Sequence, residues 1–147
     1  MLFAEKVHEL FINRRLTLAC AESCTGGGVA SALVQIPDAS LYFLGSAVTY
    51  ANSAKHNILK VTAKQAVSEG CALQMAEGAR ALFGADVAVS TTGVAGPSGE
   101  PVGKVCMAVA LPDKTIAWTE HFEGSRREII SQTTERILER LYELCTS

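Results

Sequence analysis

The stretch Glu22-Ser23-Cys24-Thr25-Gly26-Gly27-Gly28 holds the densest set of reactive groups in the chain: two hydroxyls and a thiol directly before three glycines. Inside a helix each glycine would cost roughly 1 kcal/mol relative to alanine. The run therefore reads as a turn from a strand into a helix. There, bare backbone N–H groups can face a ligand, and the helix N-terminus favours negative charge. One reading is a hydroxyl or thiol nucleophile beside an oxyanion hole. The other is a packing turn in which Ser23 or Thr25 caps the helix, and spacing alone does not separate the two. The segment is not the phosphate loop GxxxxGK[ST], the dinucleotide motif GxGxxG or the nucleophile elbow GxSxG.

A serine nucleophile needs a base. His8 falls in a surface-type helix and His121 at a strand end, neither with a local partner, whereas His56 remains a candidate. Lys55 is the better one: a partly desolvated lysine has a lowered pKa and can accept a proton. The alternative for Lys55 is a solvated surface lysine. Cys24 with His56 as its base is a further reading, that of a cysteine hydrolase. A second glycine-rich stretch, Thr91-Thr92-Gly93-Val94-Ala95-Gly96-Pro97-Ser98-Gly99-Glu100-Pro101-Val102-Gly103, follows another strand. Ligands of α/β sheets bind beyond the carboxyl ends of strands, so Thr91, Thr92, Gly93, Gly96 and Ser98 could supply hydroxyls and amides. The competing reading is a connecting loop shaped by its glycines and prolines. Arg126, after Gly124-Ser125, could clamp a phosphate or carboxylate or lie on a helix surface, with Arg127 as its rival. No metal site is expected, because the three histidines are scattered and no carboxylate cluster has ligand spacing.

The periodicity places these groups on alternating elements. Phe3, Val7, Leu10 and Phe11 predict a helix over 2–14. Leu16 to Ala21 reads as a buried strand, Val29 to Ile36 as a helix ending before Pro37, and Leu44 to Tyr50 as a second strand. Asn52 to Leu59 is a short helix with Asn52 as its N-cap. A longer helix spans 64–83, with Gly84 as C-cap, and Asp86 to Ser90 is a buried strand. Lys104 to Leu111 and Thr115 to Phe122 form a hairpin about Pro112-Asp113-Lys114. A last helix runs from near Ser125 to about Cys145. This order predicts an α/β fold with helices on both faces of a mixed sheet, in one domain over 1–147.

The composition agrees. The 147 residues are 48% hydrophobic and 19% charged, enough apolar material for a core and too much for a disordered chain. The net charge of −2 gives no basic excess, so no nucleic-acid partner is expected. No apolar run approaches the length of a membrane span. An odd count of five cysteines without a CxxC pair, and a start that is an amphipathic helix, predict a cytoplasmic protein with reduced thiols.

Four blocks in order carry a resemblance: Ala21-Glu22-Ser23-Cys24-Thr25-Gly26-Gly27; Val48-Thr49-Tyr50-Ala51-Asn52 with Lys55; Thr92-Gly93-Val94-Ala95-Gly96-Pro97 followed by Pro101-Val102-Gly103; and Gly124-Ser125-Arg126. Over roughly residues 5–145 they resemble the C-terminal domain of the CinA (competence/damage-inducible) family, whose stand-alone members are nicotinamide-nucleotide amidases. The resemblance implies a three-layer α/β/α sandwich with a mixed β-sheet, often a homodimer. It implies hydrolysis of the carboxamide of nicotinamide mononucleotide to nicotinate mononucleotide and ammonia, a pyridine-nucleotide salvage step with no metal or organic cofactor. By position, Ser23 would be the nucleophile, Lys55 the base and Tyr50 the group orienting the pair. Thr25 and the amides around Gly26 and Gly27 would hold the oxyanion, and Asn52, Thr92, Gly93 and Arg126 would contact substrate. The chain departs from the family pattern at Ser53, where glutamate is usual, at Ser125, where aspartate is usual, and in a shorter proline loop. These departures leave open a catalytically weak or inactive nucleotide-binding homologue. Full-length members also carry an N-terminal molybdopterin-binding-like domain, so any function needing it is expected to come from another chain.

Overall fold

Strand β1 (Leu18–Glu22) lies inside a five-stranded sheet, paired in parallel with β2 (Phe43–Val48) on one side and β3 (Val87–Gly93) on the other. Antiparallel strands β4 (Lys104–Ala110) and β5 (Thr115–His121) complete the order β2-β1-β3-β4-β5. A computed structural model describes residues 2–147 of the chain. Every residue of β1 is buried, as expected of a strand covered on both faces.

Helices α1 (Leu2–Arg14), α2 (Gly28–Val34) and α5 (Arg126–Thr146) cover one face; α3 (Asn52–Leu59) and α4 (Glu69–Phe83) cover the other. The two faces are packed differently. Large side chains fill the first, among them Phe11, Leu18, Leu33, Tyr42, Ile137 and Leu141. Small ones fill the second: Ala19, Ala21 and Ala88 meet Ala79 and Met75, and Ala72 and Ala76 meet Cys106, Ala108 and Ala110. The alanine layer lets α4 lie close over the strands. The three-layer α/β/α sandwich with a mixed sheet is thus the observed fold.

Several boundaries differ from the sequence expectation, each for a local reason. The helix expected from residue 64 starts at Glu69, because the Ser68 side chain accepts from the Cys71 amide and caps it there. Asn52 is the first residue of α3 rather than its cap, a position held by Ala51, whose side chain makes no capping hydrogen bond. Strand β2 ends at Val48, so Tyr50 sits on the connection to α3. Strand β3 continues through Thr91, Thr92 and Gly93, held by antiparallel pairing of Thr92 with Cys106 and Gly93 with Val105. These residues belong to the sheet, and the loop starts only at Val94. His8 is half-buried against the Tyr42 ring rather than on the surface. All five cysteines are free thiols, and among the described residues no helix is long and apolar enough to cross a membrane.

The connection from β1 to β2 crosses one face through α2, and the return from β2 to β3 crosses the other through α3 and α4. The chain therefore parts in opposite directions at the carboxyl end of β1, which opens a crevice there. Ser23 is the first residue past that end.

The helix that carries Lys55 is set by a glycine in its neighbour. A Cβ added at Gly78 would come within 2.4 Å of the Leu59 carbonyl oxygen, at the end of α3. Gly70, in the same helix, has nothing within 4 Å of that position. Gly78→Ala should therefore lower stability by about 1–3 kcal/mol, and Gly70→Ala should leave it unchanged or slightly raised; urea unfolding of the two variants checks the contrast.

Candidate active site

Three polypeptide segments meet at the carboxyl end of β1. The first is the turn 23–27, buried apart from its glycine end: Ser23 is 7% exposed and Thr25 5%. Gly27 has φ near 100°, a left-handed conformation that a side chain would strain, and it occupies the N-cap position of α2. Neither Ser23 nor Thr25 caps the helix. That role falls to the carboxylate of Glu22, which is 1% exposed and was not singled out from the sequence. Its Oε1 accepts from the Val29 amide at 2.8 Å and the Thr25 hydroxyl at 2.7 Å. Its Oε2 accepts from the Ala30 amide at 3.1 Å and the Ser46 hydroxyl at 2.7 Å. An anion thus already fills the N-terminus of α2, but it is the protein's own carboxylate. The sequence signal was present in an acidic residue ending a strand just before a glycine turn.

Glu22 also fixes the direction of the hydroxyls. Because Thr25 Oγ1 donates to Glu22, the Thr91 hydroxyl donates to Thr25 across 2.8 Å. The Thr25 side chain is therefore turned inward, away from the oxyanion role expected of it. The Gly26 amide closes the turn onto the Ser23 carbonyl at 3.1 Å. The amides of Thr25 and Gly27 have no acceptor among the described residues, and the same holds for the Ser23 hydroxyl. Cys24 is also buried, and burial pushes its thiol up to about 12.

The second segment is the connection from β2 into α3. Lys55 is 3% exposed, and its ammonium donates to the Tyr50 carbonyl at 2.9 Å. No carboxylate pairs with it among the described residues. Burial lowers its pKa from the ordinary 10.5, and the Cys71 and Cys24 thiols, close enough to act on its charge, oppose the shift. Lys55 therefore lies beside the residue next to Ser23. It is the Tyr50 main chain that holds the lysine, while Tyr50 as a residue is exposed. His56 Nδ1 lies 3.1 Å from the Val61 carbonyl, to which it must donate.

The third segment is the loop after β3 with the start of α5. Arg126 donates from one Nη to the Gly96 carbonyl at 2.7 Å and from the other to the Tyr50 hydroxyl at 3.0 Å. It ties the loop to the lysine connection, and its guanidinium is engaged with protein groups. Thr92 Oγ1 donates to the Ala66 carbonyl at 2.7 Å, which fixes the 61–67 segment against β3. Ser125 caps α5 with a full capping box, its side chain accepting from the Glu128 amide while Glu128 accepts from the Ser125 amide. Ser53 is exposed, and Gly93 lies at the end of β3.

A cavity of about 310 Å³ opens beside Lys55, lined also by Asn52, His56, Thr62, Lys64 and Cys71. Among the described residues, no three His, Cys, Asp or Glu side chains group as a metal site would require.

Residues 2–145 match the CinA C-terminal domain. This chain belongs to the CinA C-terminal domain family. A CinA-like protein of Fervidobacterium nodosum is 42% identical over 87% of this chain, and one of Geotalea uraniireducens is 46% identical over 84%. These stretches are 34% and 31% of the two relatives, so the chain spans about a third of the length of the curated relatives it matches. Among solved structures, the competence damage-inducible protein A of Klebsiella pneumoniae is 35% identical, covers 96% of this chain and 93% of its own, and superimposes with a TM-score of 0.93.

Within this CinA domain, the Glu22 cluster can be tested on its own. Glu22→Gln keeps the shape but turns an N–H₂ toward a backbone N–H and removes the charge. It should cost about 1–3 kcal/mol in urea unfolding. Glu22→Leu leaves two amides and two hydroxyls without their acceptor and should cost about 3–5 kcal/mol. Equal stability of both variants with the parent would mean that the carboxylate does not hold the turn.

Proposed function

We propose that the chain is an amidase that hydrolyses the carboxamide of nicotinamide mononucleotide, with Ser23 as nucleophile and Lys55 as general base. The observation that carries this reading is Lys55: a buried lysine with no carboxylate partner among the described residues, close enough to Cys24, the residue after Ser23, for that thiol to act on its charge. Desolvation disfavours the ammonium, so the neutral amine is populated at a lower pH than in water. A neutral amine can take the Ser23 proton as Oγ attacks the carboxamide carbon. The carbonyl oxygen becomes an oxyanion, which the amides of Thr25 and Gly27 are free to stabilise. Collapse breaks the C–N bond. The proton held on Lys55 passes to the departing nitrogen, which leaves as ammonia. Water, deprotonated by the same amine, then releases nicotinate mononucleotide from Ser23. The family membership supports the substrate class, and Arg126, through its bonds to Tyr50 and Gly96, braces the lysine connection against the loop after β3.

A cysteine mechanism fits less well. The Cys24 thiol stays protonated far above neutral pH, and His56 already directs one ring nitrogen to the Val61 carbonyl.

Ser23→Ala should reduce ammonia release from nicotinamide mononucleotide by at least about 10³-fold with unchanged unfolding behaviour, while Cys24→Ser keeps most activity. An inactive, folded Cys24→Ser variant together with an active Ser23→Ala variant would reverse the assignment.

The pH profile follows from the sign of the Lys55 shift. The reactive form is the neutral amine, whose fraction rises with pH and reaches half at the folded-state pKa. Since burial lowers that pKa, the rate should climb through an acid limb centred below 10.5. Lys55→Met and Lys55→Arg should both be inactive, the latter because arginine stays protonated. His56→Ala should leave the limb in place, and its disappearance in that variant would make histidine the base.

A further inference from the structure

We infer that the hydroxyl of Thr49 carries the proton between Ser23 and Lys55; this rests on the amidase reading above. Strand alternation sets which groups share a face of the sheet. Ala19 and Ala21 of β1, Ala47 of β2 and Ala88 of β3 pack under α3 and α4. Glu22 and Ser46 turn the other way, onto the start of α2. The ladder runs one residue past β1 and β2: the Ser23 amide donates to the Thr91 carbonyl, and the Thr49 amide to the Glu22 carbonyl. Ser23, two residues after Ala21, and Thr49, two after Ala47, therefore lie side by side on the α3 face, one strand spacing of about 4.8 Å apart. Ser90 and Thr92 of β3 face the same way, donating to the Ala72 and Ala66 carbonyls.

Thr49 is fully buried, and its Oγ1 has no hydrogen-bond partner among the described residues. A hydroxyl in that state lowers stability, so its presence calls for a reason. Its two neighbours supply one. Across the ladder lies Ser23, and next in the chain is Tyr50, whose carbonyl holds the Lys55 ammonium at 2.9 Å. No hydrogen bond joins Ser23 to Lys55 directly among the described residues. A hydroxyl has one donor and two acceptor sites, so Thr49 can accept from Ser23 and donate to Lys55 at once. The other hydroxyls nearby are committed. Thr92 spends its proton on the Ala66 carbonyl, Thr25 donates to Glu22 and Thr91 to Thr25, and the Tyr50 hydroxyl accepts from Arg126.

The transfer is balanced at each step. In acylation the neutral Lys55 amine takes the Thr49 proton while Thr49 takes that of Ser23, and Ser23 Oγ forms its bond to the carboxamide carbon. Thr49 is neutral before and after. The added proton leaves Lys55 with the departing nitrogen. In deacylation the relay runs backwards. Lys55, protonated by the attacking water, gives a proton to Thr49 as Thr49 returns one to the departing Ser23 oxygen.

The experiment combines ammonia release from nicotinamide mononucleotide, measured across pH, with urea unfolding of the same variants. Thr49→Val keeps the shape and removes the hydroxyl. It should lower kcat by at least about 10²-fold, the scale of a lost proton-transfer group, and leave KM within about three-fold. Its acid limb should stay centred where the parent's is, because Lys55 still titrates. Its unfolding midpoint should equal or exceed the parent's, because the hydroxyl removed has no partner in the fold. Thr49→Ser, which restores a hydroxyl, should recover activity to within about ten-fold of the parent. A kcat of Thr49→Val within about three-fold of the parent would overturn the relay, as would a Thr49→Ser variant as inactive as Thr49→Val. A shifted acid limb would mean that Thr49 tunes the lysine instead of carrying its proton, and a lowered unfolding midpoint that the hydroxyl holds the fold; either outcome also rejects the relay. An active parent, an inactive Lys55→Met variant and an active Thr49→Val variant would reject the relay alone and leave the amidase reading standing. A parent chain that releases no ammonia would overturn both.

Discussion

A buried carboxylate organises this domain. Glu22 ends the inner strand β1, yet its side chain reaches across the turn to the first amides of α2 and sideways to Ser46 on β2. An ionised group placed out of water is costly unless its oxygens are fully engaged. Four donors meet that demand here, two of them at the positive end of a helix. The strand, the neighbouring strand and the helix are thereby locked to one point, and Ser23 is the next residue along the chain. The left-handed glycine at position 27 is what lets the backbone curl tightly enough to bring the amides of Val29 and Ala30 onto that carboxylate. A motif that looked like an open anion cradle is closed by its own acid, and this leaves the hydroxyl of Ser23, rather than the helix terminus, as the unengaged polar group of the turn.

Lys55 is held by the opposite strategy. Its nitrogen is removed from water and given one main-chain carbonyl, with no carboxylate partner among the described residues. The packing around it is unspecific in residue type but strict in shape: an alanine-lined face and a glycine at position 78 let α3 and α4 approach closely. Stability is given up locally for a group whose proton affinity is lowered. Two contacts then join the remaining pieces. Arg126 fastens the loop after β3 to the Tyr50 ring, and Thr92 fastens the segment before α4 to β3. Both were expected to face substrate; in the structure their polar groups hold backbone and neighbouring side chains in place.

The sequence by itself determined the alternation of elements, the mixed sheet and the strand–turn–helix context of residues 22–28. These follow from periodicity and from glycine and capping signals, which are local and act within a few residues. The family rested instead on the resemblance carried by four motif blocks in order. The sequence also offered Ser23, Cys24 and Thr25 as candidate nucleophiles and Lys55, ahead of His56, as the base, and the resemblance picked Ser23 among the three. Tertiary structure decided what local pattern could not. Whether Thr25 faced outward or inward depended on where the Glu22 carboxylate, itself overlooked, would find its donors, among them Ser46 on another strand. Whether Thr92 and Gly93 were loop or strand depended on pairing with Cys106 and Val105. Whether a lysine at position 55 was solvated or buried depended on α4, whose close approach comes from residues around position 78. Hydrogen-bond direction and desolvation belong to groups distant in sequence, and only the folded chain brings them together.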